Sequence, residues 1–134
     1  MTSPLIDHVS LFICDDIRKE ANNKLSLLGI YLDKVISAPT NADKIIPSLC
    51  FVVSLTSAPG NYDISFEIIT DGITPKIVFT SPKETLEIKG SDTNGMFAAR
   101  LGNIKVLDDN ISEHIFKLKV NKEEYFFRFK LVFS

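Results

Sequence analysis

Apolar and polar residues alternate with period two almost from end to end of this chain, and no other feature limits its fold so tightly. Tyr62, Ile64, Phe66 and Ile68 share one face of an extended segment, with Asp63, Ser65 and Glu67 on the other. Phe116, Leu118 and Val120 repeat the pattern against Lys117 and Lys119. Tyr125, Phe127, Phe129, Leu131 and Phe133 repeat it again, opposed by Phe126, Arg128, Lys130 and Val132. Successive side chains of a strand point to opposite faces, so each segment can bury one side and wet the other. The i, i+3, i+4, i+7 spacing of an amphipathic helix is scarce. The chain reads as all-β.

Further strand candidates are Val9 to Cys14, Leu25 to Ile36, Leu49 to Leu55, Lys76 to Thr80, Thr85 to Lys89 and Met96 to Leu107. Turn-forming residues separate them at Asn22-Asn23, Pro39 to Asp43, Pro59-Gly60-Asn61, Asp71-Gly72, Ser81-Pro82 and Gly90 to Gly95. Asn121 to Glu124 divides the last two alternating runs, which read as a C-terminal hairpin. The expectation is one domain over residues 1–134: a single antiparallel two-sheet β-sandwich, immunoglobulin-like, of about eight or nine strands. A closed barrel is the alternative. Leu25 to Ile36 stands apart, because Leu27, Leu28, Ile30, Tyr31 and Leu32 make it apolar on both faces. A central strand covered on both sides would explain it, as would an interface, and Gly29 within it suggests a bulge. Asp15 to Ala21 reads as an irregular turn in preference to a short helix capped by Asp15.

With 134 residues, 45% hydrophobic and 24% charged, the chain can bury a core without disulfides or metal. The net charge of -2 and the spread of Lys and Arg along alternating strands offer no clustered cation for phosphate. No nucleic-acid partner is expected. No apolar run is long enough for a membrane helix, and Asp7 and His8 interrupt any secretory leader, so a cytoplasmic, non-membrane protein is expected. Cys14 and Cys50 both lie in apolar runs and read as structural thiols.

The run Leu11-Phe12-Ile13-Cys14-Asp15-Asp16-Ile17-Arg18, followed by Asn23-Lys24-Leu25-Ser26-Leu27-Leu28-Gly29-Ile30-Tyr31, resembles the opening of a family of small, functionally uncharacterised bacterial β-sandwich proteins, a domain of unknown function. That family opens with an Asp-Asp-x-Arg turn and a Gly-Lys-x-Ser-Leu-x-Gly strand. Asp15, Asp16, Arg18, Lys24, Ser26, Leu27 and Gly29 match, whereas Asn23 stands where glycine is expected. The resemblance covers about the first quarter of the chain. It implies a fold and transfers no catalytic residue.

Chemistry-bearing patterns are sparse. His8 and His114 have no partner at a catalytic spacing and read as surface or strand-edge histidines; Gly90 to Gly95 lacks the Lys-Ser/Thr of a phosphate loop. No catalytic residue, no cofactor and no enzymatic activity are expected. Asp15, Asp16, Asp71, Asp92, Asp108 and Asp109 fall in predicted loops; Asp15, Asp16, Asp71 and Asp108 are the candidate oxygens should a hard cation such as calcium bind. A turn-forming role explains each without convergence. Asp16 and Arg18 suggest a hairpin lock, with Asp bonding turn amides and Arg18 pairing a carboxylate across the sheet. Phe126 and Val132 oppose the buried face of the last strand. Together with Leu28, Ile30 and Leu32, they are the interface candidates. The sequence therefore points first to a protein-interaction module acting by self-association or sheet-edge contact, and second to a small-ligand or calcium-binding domain using the loop aspartates.

Overall fold

The computed structural model describes residues 6–22, 24–38, 45–90, 94–105 and 113–133. Among them are ten strands and no helix: β1 (His8–Lys19), β2 (Leu25–Ile30), β3 (Val35–Ala38), β4 (Ile45–Thr56), β5 (Gly60–Thr70), β6 (Ile77–Thr80), β7 (Glu84–Ile88), β8 (Asn94–Lys105), β9 (Glu113–Val120) and β10 (Glu123–Phe133). They form a four-stranded sheet, β2-β1-β4-β8, and a second sheet in the order β3-β10-β9-β5-β6, with β7 also pairing β5. Every pairing is antiparallel except β3 with β10, which is parallel.

The alternation picks out the buried face. Tyr62, Ile64, Phe66 and Ile68 of β5 and Phe116, Leu118 and Val120 of β9 are buried. They share one core with Leu49, Phe51, Val53 and Leu55 of β4. Phenylalanines carry the contact between the sheets. Phe116 stacks on Phe66 at 4.7 Å and on Phe51 at 5.1 Å, and Phe129 meets Phe51 edge-on at 5.8 Å. Offset and edge-on geometries are those the aromatic quadrupole favours. Tyr62, fully buried, needs a partner for its hydroxyl and donates it to Ala58 O at 2.5 Å, beside Ser57 Oγ at 2.8 Å. The predicted C-terminal hairpin forms through a tight Asn121-Lys122 turn, with Asn121 at φ 54°. Asn121 is also tied to β5: its amide donates to Asp63 O at 2.8 Å, and its side chain accepts from the Asp63 amide at 3.0 Å.

Three sequence expectations change. The stretch from Leu25 to Ile36 is not one central strand. It makes β2, at the edge of one sheet, and β3, at the edge of the other. Leu32 sits in the turn between them and is 92% exposed. Splitting that run raises the strand count to ten. The strand that is apolar on both faces is β4, where Cys50, Phe51, Val52 and Val53 are all buried. Its second face forms a smaller cluster of Cys14, Cys50 and Val52, with Ile17 and Leu27 against it.

The segment Asp15 to Lys19 is neither turn nor helix but the continuation of β1. After the pair Cys14 with Cys50, β1 leaves β4 and runs on against β2 alone, pairing Asp16 with Leu28 and Lys19 with Leu25. The hairpin closes later, where the Glu20 amide donates to Lys24 O at 2.8 Å; Asn23 lies outside the described residues. Gly29 is not a bulge, since the register advances one for one on either side of it. It is a left-handed residue at φ +68°, and the Asp15 side chain lies over it where a Cβ would stand.

Candidate functional site

The outward face of the β5–β9–β10 array carries a charge ladder. Opposed residues there are Glu67 with Lys117, Ser65 with Lys119, and Glu124 with Lys119. Glu124 does not pair with the lysine directly opposite. Its Oε2 reaches diagonally to Lys117 Nζ at 2.9 Å, and Glu67 Oε1 lies 3.9 Å from the same ammonium. The hydrogen bond that Lys117 donates to Glu124, and then the carboxylate's charge, raise the pKa of Lys117. Two carboxylates therefore serve Lys117, while Lys119 has no ion pair among the described residues.

A concavity of about 300 Å³ opens over this place, lined by Ser65, Phe66, Glu67, Thr80, Ser81, Lys117, Lys119 and Glu124. Its shape follows from the edge. β6 and β7 both pair β5, and the chain between them turns away at Ser81-Pro82. Ser81 pins that turn: its hydroxyl accepts from the Phe66 amide at 2.8 Å and donates to Pro82 O at 3.1 Å, and its own amide donates to Phe66 O at 2.9 Å. The hydroxyls of Ser65 and Thr80 make no hydrogen bond within the described residues. One ammonium and two hydroxyls thus face the concavity uncommitted. Such a set can donate to an anionic oxygen.

A second polar cluster lies at the β1–β2 edge. Tyr31 donates its hydroxyl to Asp15 at 2.5 Å, and burial followed by that bond pushes the Tyr31 hydroxyl up to about 12. Arg100 of β8 donates to Asp16 Oδ1 at 2.5 Å and to Ile17 O at 2.9 Å, while Asp16 Oδ1 accepts from the Ile17 amide. The hairpin lock therefore exists with a different arginine. Arg18 is exposed and forms no ion pair within the described residues; Arg100, distant in sequence, takes the role.

The other sequence candidates scatter. Asp71 is held by Arg128, and Asp108, like Asp92 and Asp109, lies outside the described residues. Asp15, Asp16 and Asp71 are thus each engaged by a different side chain, and no group of three or more His, Cys, Asp or Glu gathers among the described residues. Of the interface candidates, Leu28 and Ile30 lie on β2 of the four-stranded sheet, Leu32 in the turn after it, and Phe126 and Val132 on β10 of the other sheet; all five are exposed. His8 is exposed at the start of β1. His114, expected at the surface, is instead buried on the inner face of β9 and stacked on Phe129 at 5.5 Å. Its place in the alternation, two residues before Phe116, is the signal that locates it.

No family model matches this chain, and no curated protein does. Among solved structures it is similar to the Pseudomonas fluorescens alkylpurine DNA glycosylase AlkC bound to DNA containing an abasic site analog. The identity is 14% and the TM-score 0.46, over 75% of this chain and 28% of that one. Against that finding, two expectations do not stand: a protein-interaction module as the function, and the absence of a nucleic-acid partner. Both are dropped. The likeness carries neither the glycosylase activity nor the DNA to this chain. No helix of the described residues is long and apolar enough to cross a membrane.

Proposed function

We propose that the β5–β9 concavity binds a ligand through an anionic group, phosphate or carboxylate, with Lys119 as the charge partner and Ser65 and Thr80 as neutral donors. The observation that carries this reading is the diagonal ion pair. Glu124 bypasses Lys119 for Lys117 and leaves one ammonium uncommitted beside two uncommitted hydroxyls. Glu67 and Glu124 limit how much negative charge the site accepts, so one anionic group fits better than several. As part of the same reading, the two sheets pack face to face as a β-sandwich, supported by the phenylalanine stack that joins them. Membership of the small bacterial family is supported by motif residues Asp15 and Gly29, which fit against each other across the first hairpin.

The test is amide chemical-shift mapping during titration with inorganic phosphate, a nucleoside monophosphate and a single-stranded oligonucleotide. Saturable shifts are expected at Ser65, Thr80 and Lys119, weakened at least several-fold in Lys119→Gln and unchanged in Lys76→Gln. Tighter binding of the oligonucleotide than of the monophosphate identifies the anion as a nucleic-acid backbone; the reverse order identifies a small molecule. Shifts that are absent at millimolar phosphate, or that persist in Lys119→Gln, refute the site.

A further inference from the structure

We propose that Cys14 and Cys50 form an oxidation site that closes to a cross-strand disulfide, tying β1 to β4. The two are directly opposed as the last pair before β1 leaves β4. Opposed residues of an antiparallel pair have Cα atoms about 4.5–5.5 Å apart. That separation lies within the range of about 4.4–6.8 Å that a disulfide spans. Both side chains belong to the same small cluster on one face of the sheet. Their sulfurs also converge on a single dipeptide: Cys14 Sγ donates to Asp16 O at 3.5 Å, and Cys50 Sγ to Asp15 O at 3.7 Å.

In the closed fold the pair is protected. Both thiols are free and fully buried, and burial first, then Cys50 and Asp15, pushes the Cys14 thiol up to about 11. Reaction therefore requires the edge to open. The opening unit is at hand, because β2 is a short edge strand and beyond Cys14 the end of β1 pairs with it alone. Cys50 stays on the central strand, opposite Arg100 of β8.

The oxidant is a small disulfide such as glutathione disulfide. The Cys50 thiolate attacks one of its sulfurs, the S–S bond breaks, and one glutathione leaves as a thiolate that takes up the proton Cys50 lost. The Cys14 thiolate then attacks the protein sulfur of the mixed disulfide, and the second glutathione leaves with the proton from Cys14. The protein pair loses two electrons, and glutathione disulfide gains them as two thiols.

The test incubates the folded chain with glutathione disulfide, in buffer and in sub-denaturing urea. The chain is then unfolded in an alkylating agent without reductant and weighed intact. An unlabelled monomer lighter by two hydrogens is expected in at least one condition, with a raised thermal midpoint that dithiothreitol reverses. Cys14→Ser and Cys50→Ser, close to isosteric, should each stop at a glutathione adduct or one alkyl label. A wild-type chain that takes an alkyl label on both cysteines in both conditions overturns the proposal. So does a bond that forms only between chains.

Discussion

Replacing Gly29 with alanine probes the contact that holds the first hairpin together. The residue sits at φ +68°, and an added Cβ would stand 2.5 Å from Asp15 Oδ2. A non-glycine residue in the left-handed region costs about 1–2 kcal/mol. The Asp15 carboxylate must also move, and its bond from the Tyr31 hydroxyl, partly exposed, contributes about 0.5–1.5 kcal/mol. Together these give a loss of about 2–3 kcal/mol, which for a chain of this length lowers the thermal midpoint by about 7–10 °C. Urea denaturation followed by circular dichroism measures the loss directly, with the slope expected to stay constant. Two companion variants separate the causes. Gly29→Asn relieves part of the backbone strain and keeps the clash; Asp15→Ala with Gly29→Ala removes the clash and keeps the strain. A Gly29→Ala chain within about 1 °C of wild type would refute the account, since left-handed strain alone should exceed that.

Two further outcomes follow from the core and from the titrations. Phe116→Ala removes a fully buried ring stacked on both Phe51 and Phe66, and should cost about 3–5 kcal/mol in chemical denaturation; a loss below about 1 kcal/mol would mean that the two sheets do not share this core. Tyr31, with an ordinary value of 10.0, is pushed up to about 12 when folded. The unfolded chain ionises first, so the stability present below the ordinary value falls as pH rises through it and is lost by about 12. Tyr125 is also pushed up to about 12, by burial and then by Glu123. Tyrosinate absorbance is therefore best followed in Tyr125→Phe, where Asp15→Asn should bring the Tyr31 titration back toward 10.0. No change on that substitution would exclude Asp15 as a cause.

The all-β class, the segments that become β5, β9 and β10, their buried faces and the C-terminal hairpin were all legible in the amino-acid order. Strand periodicity is a local property, and burial of one face follows from it wherever the residues alternate. Local pattern also misled where two elements read as one. Leu25 to Ile36 reads as one mostly apolar run, yet it passes from the edge of one sheet to the edge of the other at Asp33-Lys34, where Asp33 Oδ1 accepts from the Val35 amide at 3.1 Å and Lys34 stands at φ 56°. At Asp15 and Asp16, two turn-forming residues sit inside a strand, because pairing with β2 outweighs their local preference.

The candidate site was hidden more deeply. Alternation placed Lys117 and Lys119 on a solvent face and made them look alike. Only the register of β5, β9 and β10 decides that, among the described residues, Lys117 takes two carboxylates and Lys119 none. Arg100 reaching Asp16, and Cys14 facing Cys50, likewise join residues far apart along the chain. Period and composition are carried by neighbours in sequence, so the chain alone determined which faces are buried and which strands exist. Partnership depends on strand order and register, which arise when the sheets assemble, and so the tertiary structure alone decided which charge stays uncommitted and which thiols meet.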